Sequence, residues 1–306
     1  MDSFFLPGKC SDPAYRNVRD GGEDWLLKGR DFTESLWQRF KPFVDSHFRT
    51  DAQAHFIERF WEMYLTVVFL ERGFQVRPSS GVGPDFSFKA NGHWVWVEAV
   101  APGPGEGADH VPAPETGTVY GVPTEKILLR YANALVEKRK KYQEALERGI
   151  ITAGEGYILA INSRRIPHAP YGNTLPYYLQ ALLPIGDLTF VLDRSTGKVK
   201  DRFYEVRESV LKNNKAPVNM RPFLDPGFAF VSAVLHSAVD PVRRLPQLGG
   251  DFSVLHNPMP SHPIEPSMFH WCDQYFYRDG TLEKRPANNS LEPPARAAKP
   301  DRLPDL

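Results

Sequence analysis

Asn91-Gly92, set between the runs Asp85–Lys89 and His93–Val100, decides more about this chain than any other dipeptide in it. Asn-Gly suits a two-residue turn whose central positions need positive φ, so the flanking runs are expected to form a β-hairpin. The turn also sets the register. Ala90 pairs with His93, Lys89 with Trp94, Ser87 with Trp96 and Asp85 with Glu98. Directly opposed residues have Cβ atoms about 4.5–5.5 Å apart on one face, where like charges destabilise. Two carboxylates in that relation repel and raise a pKa unless a cation lies between them. A hard divalent ion such as Mg²⁺ takes oxygens from one or two carboxylates and fills its shell with water. The carbonyl of Ala99 would add an oxygen. Asp85 and Glu98 are therefore candidate metal ligands. The alternative is that Asp85, after Gly83-Pro84, stabilises a turn, and that Glu98 pairs with a Lys or Arg.

Around this hairpin the apolar pattern alternates between the helical and the strand period. Residues 1–30 read as an irregular arm with a short helix near Trp25, and residues 31–49 as a helix kinked at Pro42. Asp51 is placed to cap a helix through Arg72, whose apolar set includes Phe56, Phe60, Trp61, Tyr64, Leu65, Val68 and Phe69, with Gly73 just past its end. Glu62 lies in the middle of that helix. Phe74–Arg77 is a short strand and residues 78–84 a turn. Residues 101–124 hold five Gly and five Pro. A segment of that length is a functional flap or is disordered. A helix is expected from Thr124 to Arg148, another over Leu175–Leu183, and strands at Tyr157–Asn162, Leu188–Leu192, Phe228–Leu235 and Asp251–His256. Alternating helices and apolar strands define an α/β protein with a largely buried sheet. Three regions follow: an N-terminal arm and helix over 1–50, an α/β domain over 51–283, and a disordered tail over 284–306 with five prolines and little apolar content.

Composition excludes several classes. The 306 residues carry 37 Lys and Arg against 37 Asp and Glu, which argues against a polybasic coat protein but leaves room for a local basic face. Two cysteines, Cys10 and Cys272, cannot make a disulfide framework and suit a reducing cytoplasm. No run approaches the ~20 apolar residues of a membrane span, and no secretory signal is visible. His262, Glu265, His270 and Cys272 cluster in sequence but match no zinc spacing.

A helix carrying Glu62, then Gly73-Phe74, Pro84-Asp85, a hairpin, and an apolar strand bearing Glu98 together resemble the PD-(D/E)XK nuclease superfamily, which includes restriction endonucleases, Holliday-junction resolvases and related repair and defence nucleases. The resemblance covers residues 51–150. It implies a restriction-endonuclease-like αβββαβ core, here with additional strands and helices. It also implies Mg²⁺- or Mn²⁺-dependent hydrolysis of phosphodiester bonds by a DNA endonuclease, working as a homodimer or within a repair or defence complex. Residue by residue, Glu62 matches the helical acid, Asp85 the acid of the Pro-Asp pair and Glu98 the second strand acid.

One position departs from the pattern. The family lysine is expected two residues after the strand acid, where this chain has Val100. The next helix carries a polar stripe of Lys126, Arg130, Asn133 and Glu137, and Lys126 in its first turn is the expected substitute. Lys89, near the hairpin turn, is a weaker one. Lys138-Arg139-Lys140-Lys141 would contact the nucleic-acid backbone without reading sequence, so Arg130, Lys138, Arg139 and Lys141 are the expected binding residues. Their plain alternative is a solvated helix end, where cations also suit the macrodipole. The alternative function is a catalytically degenerate module of the same fold that binds nucleic acid or a partner protein; Val100 is its main support.

Overall fold

A computed structural model describes residues 2–44, 46–78, 83–119, 121–171, 175–288 and 301–302. Four helices precede the first strand: α1 (Pro13–Asp20), α2 (Asp24–Phe40), α3 (Phe48–Ala52) and α4 (Phe56–Glu71). Asp12 starts two of them. Its Oδ1 accepts from the N–H groups of Ala14 (2.8 Å) and Tyr15 (3.2 Å) on α1, and its Oδ2 accepts from the N–H of Phe56 (2.9 Å) on α4. One side chain thereby satisfies donors that the first turns of two helices leave without an internal partner. Asp12→Ala is expected to destabilise by about 1–2 kcal/mol, read as a lower urea midpoint at unchanged m-value.

The N-terminal arm is not irregular. Phe4, Phe5 and Tyr15 are buried, and their rings pack on one another and on Phe56, with Phe4 and Phe5 centroids 5.0 Å apart and Tyr15 and Phe56 5.5 Å apart. The helix expected over 31–49 is broken by a single 3₁₀ turn at Lys41–Phe43, where Pro42 has no N–H to continue it. Asp51 lies inside α3, and α4 begins at Phe56. Gly73 follows α4 at φ +80°, a conformation that favours glycine.

The chain then forms β1 (Gln75–Pro78), β2 (Phe86–Ala90) and β3 (His93–Val100), crosses through α5 (Thr124–Glu147) and returns as β4 (Gly156–Asn162). β1, β2 and β3 are an antiparallel meander. Asn91 (φ 48°) and Gly92 (φ 84°) make the turn, and the pairs from Ala90–His93 to Phe86–Val97 follow the register set by the Asn-Gly turn. β4 runs parallel to β3, with Leu159 opposite Glu98 and Ile161 opposite Val100.

Beyond β4 come α6 (Tyr177–Leu182), the separate antiparallel pairs β5 (Ile185–Leu192) with β6 (Val199–Val206) and β7 (Ser209–Leu211) with β8 (Pro217–Asn219), and then β9 (Ala233–Ser237), β10 (Ser253–His256), β11 (Asp273–Arg278), β12 (Thr281–Arg285) and β13 (Asp301–Arg302). The main sheet is mixed and has the order β1-β2-β3-β4-β9-β10-β11-β12-β13. The strand expected over 228–235 starts only at Ala233, because Pro226–Phe228 form a 3₁₀ turn. The boundary expected at residue 284 falls inside β12; of the turn over 78–84 and the tail, residues 79–82, 289–300 and 303–306 lie outside the described residues.

The sheet divides the apolar interior. Phe60, Trp61 and Leu65 of α4 pack with Val95, Val97 and Ala160 on one face. Ile127, Leu128 and Leu135 of α5 pack with Leu159, Ile161 and Val234 on the other. Central strands buried on both faces read as the near-continuous apolar runs seen in the sequence. The protein is thus a mixed α/β fold built on one large sheet. Among the described residues no helix is long and apolar enough to cross a membrane.

Candidate functional site

Alternation along β3 sends Val95 and Val97 toward α4, and Trp96 and Val100 toward α5. Glu98 shares the α5 side, and only 5% of its surface is exposed. A carboxylate there needs a cation or strong donors. α5 supplies one: the Nζ of Lys138, itself buried, donates to Glu98 Oε1. Lys138 belongs to the inward stripe of α5, which runs Tyr131, Leu135, Lys138, Tyr142, Ala145 at helical spacing. It is a single charge in an otherwise apolar row, placed directly over the strand acid. Position 100, which lacks the family lysine, holds a half-buried valine packed against the α5-side core.

Asp85 sits one residue before β2, opposite Glu98 by extension of the hairpin register. Its Oδ2 accepts the N–H of Ala99 at 2.6 Å, which aims the carboxyl at the end of β3. Burial of that carboxyl holds its pKa well above the ordinary value; the charges of Glu98 and then Glu62 push it further the same way, while Lys138 and the Ala99 N–H oppose them. Glu62 comes from the middle of α4 and accepts from Arg59 Nη1 at 2.7 Å. Arg59 also faces Asp51 at 3.7 Å. The structure therefore brings Glu62, Asp85 and Glu98 into one electrostatic neighbourhood, with Lys138 and Arg59 as the nearby cations.

The donor set suits a hard divalent ion in chemistry, being all oxygen, and Asp85 Oδ1 makes no hydrogen bond. Among the described residues no three His, Cys, Asp or Glu side chains are grouped closely enough to hold a metal by themselves. A Mg²⁺ ion that keeps several waters needs only one or two carboxylates, and Asp85 with Glu98 meets that lower requirement.

Lys126, the expected substitute for the missing lysine, is elsewhere. Its Nζ donates to the His110 carbonyl at 3.3 Å. It lies about 18 Å before Lys138 along α5, at 1.5 Å per residue. The long connection out of β3 starts α5 well away from Glu98, so the second half of the helix, not its first turn, covers the acid. Arg130 is also occupied, with Nε donating to the Gly103 carbonyl at 2.8 Å. Together the two residues fasten the 101–111 segment to α5. Val111 of that segment is fully buried and its N–H donates to the Pro104 carbonyl at 2.9 Å. A stretch read as flap or disorder is a packed strap at those residues.

The basic run divides. Lys138 points inward, and the Arg139 guanidinium lies 5.3 Å from the Phe228 ring centre. Lys141 is exposed and lines a cleft of about 290 Å³ with Pro84, Glu98, Glu144, Arg148 and Tyr157. Lys89 is exposed near the hairpin turn. The roomiest concavity, about 810 Å³, lies between residues 258–266 and the β11–β12 turn and holds none of the expected site residues. His236, at the end of β9, is a structural histidine. It stacks on Tyr178 (4.6 Å) beside Ser163 Oγ (3.1 Å), and burial lowers its pKa to about 3.

Comparison of the chain with protein-family models, with curated proteins and with solved structures finds no match.

Proposed function

We propose that the protein is a metal-dependent nuclease of the PD-(D/E)XK type acting on DNA, with Asp85 and Glu98 as metal ligands and Lys138 standing in for the lysine absent at position 100. The element order supports this reading. Helix α4, the antiparallel strands β1, β2 and β3, helix α5 and the parallel strand β4 follow the αβββαβ order that the sequence resemblance implies. The observation that carries it is the contact of Lys138 with Glu98: a buried cation approaches the strand acid from the helix above, at the point where the strand itself offers only valine.

When bound, a divalent ion would activate water and neutralise charge on the scissile phosphate. The chain's own groups do the rest. The Ala99 N–H fixes the Asp85 carboxyl. Lys138 holds its proton at Nζ and offers a charge-assisted donor to a phosphoryl oxygen. Lys141 and Arg148, at the cleft beside Glu98, are placed for the backbone phosphates on either side. Glu62 and Arg59 frame the side toward α4.

Supercoiled plasmid with Mg²⁺ or Mn²⁺ tests the proposal. Wild type is expected to nick it, and Glu98→Gln to lose at least 10²-fold in rate, the order seen when a preorganised electrostatic group is removed. Calorimetric Mn²⁺ binding should be present in wild type and lost in Asp85→Asn. No heat and no nicking in wild type would instead select a catalytically degenerate binding module. One observation favours that second reading: Lys138 already neutralises Glu98, and no third ligand joins the acids among the described residues.

A further inference from the structure

β5 and β6 form a ribbon outside the nine-stranded sheet. Eight residues per strand give a length of about 26 Å at ~3.3 Å per residue. Much of its surface is apolar and open to solvent: Phe190 is 52% exposed, Leu192 56%, Val199 56% and Val206 67%. An isolated two-stranded ribbon is marginal in water, and large apolar side chains gathered at a surface mark a partner.

Charge selects the kind of partner. Arg194, Lys198, Lys200 and Arg202 crowd the tip, all exposed, and among the described residues none of them forms an ion pair. The acids between them serve the backbone. Asp193 Oδ1 accepts from the N–H groups of Ser195 (2.8 Å) and Thr196 (3.0 Å) and from the Ser195 hydroxyl, closing the turn, and Asp201 accepts from its neighbour's N–H. On a chain with no net charge the tip is locally positive. Position agrees with charge. Near the ribbon's base, Asp187 lies within electrostatic reach of Tyr177, which bonds to Thr124 at the start of α5. From Thr124 to Lys138 is about 21 Å along the helix, less than the ~34 Å of one duplex turn.

We infer that the β5–β6 ribbon enters a groove of double-stranded nucleic acid. Arg194, Lys198, Lys200 and Arg202 contact the phosphates and the exposed Phe190 and Phe203 meet the groove wall. A major groove admits a two-stranded ribbon. The inference rests on the nuclease reading for where the duplex lies, since the same duplex would run from the acids to the ribbon.

Fluorescence anisotropy of a labelled 24-base-pair duplex in EDTA, across a NaCl series, tests it on the full chain. The fourfold variant R194Q/K198Q/K200Q/R202Q is expected to flatten the slope of log K against log salt by roughly 3–4, at ~0.9 per lost phosphate contact, and to weaken binding at least tenfold at ~0.1 M salt. Phe203→Ala should weaken binding with the slope unchanged. An unaltered slope and affinity in the fourfold variant overturns the inference, as does equal affinity for the single strand. Sedimentation closes the other route: a wild-type dimer that becomes a monomer in the fourfold variant, with duplex binding intact, makes the ribbon an interface between copies and overturns the inference. Glu98→Gln separates the two readings. If it cleaves like wild type while the fourfold variant loses the duplex, the acid site fails and the ribbon stands; if it is dead while the fourfold variant binds normally, the ribbon alone fails.

Discussion

Lys138→Met is expected to lower the melting temperature by roughly 10 °C and to abolish metal-dependent cleavage. The side chains of Lys138 and Glu98 are only 11% and 7% exposed. Removing one member of such a pair leaves a buried charge without compensation, a loss of about 3–5 kcal/mol. For a chain of this size each kcal/mol is worth about 2–4 °C. The loss should be severe here because Asp85 already crowds Glu98. Adding Glu98→Gln to Lys138→Met removes both charges and is expected to restore most of the melting temperature, since an apolar or neutral pair of similar volume is often as stable as the ion pair. Activity should not return. The double-mutant cycle gives the coupling energy, and a Lys138→Met variant that melts like wild type would remove the pair from the argument.

Asp85→Asn is expected to do the opposite to stability and the same to activity. The carboxyl of Asp85 is held above its ordinary pKa by burial and by Glu98 and Glu62. The folded chain therefore keeps a proton that the unfolded chain releases. The stability tied to that proton is complete below the ordinary carboxylate value and is lost as pH rises through the raised one. Asparagine keeps an oxygen that can accept the Ala99 N–H and removes the like charge, which is worth up to about 1 kcal/mol for directly opposed acids. At pH 8 without divalent ions the variant should melt about 2–4 °C above wild type, while nicking is lost. Mg²⁺ or Mn²⁺ binds the deprotonated carboxylate, so it should raise the wild-type midpoint at pH 8 and leave the variant unmoved. A variant less stable than wild type at that pH would mean that Asp85 is a structural turn residue. A site acid whose neutralisation stabilises the fold is the usual trade between function and stability.

What the sequence made legible was local. Asn91-Gly92 fixed the hairpin and its register because a two-residue turn leaves the strands no freedom to slip. The placement of Asp85 beside the end of β3 followed from that register. α5 was visible from its period, and its last residue lay within one of the expected end. Lys138 was misplaced because it stands first in a run of four cations, and the run suggested solvent. Its helical period with Leu135 and Tyr142 carries the opposite message, and that is the signal that would have found it. The strap after β3 was misread for a related reason. Its Gly and Pro content says nothing of Arg130 and Lys126, which hold it from a helix far along the chain. Phe4 and Phe5 show no period at all; their burial comes from helices that begin later. The order of β9 to β13 depends on strand pairings between distant segments, which no local pattern encodes.

The shared carboxylate of Asp12 has a consequence for how the chain is made. Its second acceptor bond closes on a residue 44 positions downstream. On a ribosome adding about 5–20 residues per second, the first helix emerges and waits for seconds with half of its anchor unused. The layer that carries Glu62 can lock only after Phe56 has cleared the exit tunnel, so the opening segment acts as a latch thrown late in synthesis rather than as a seed that folds first.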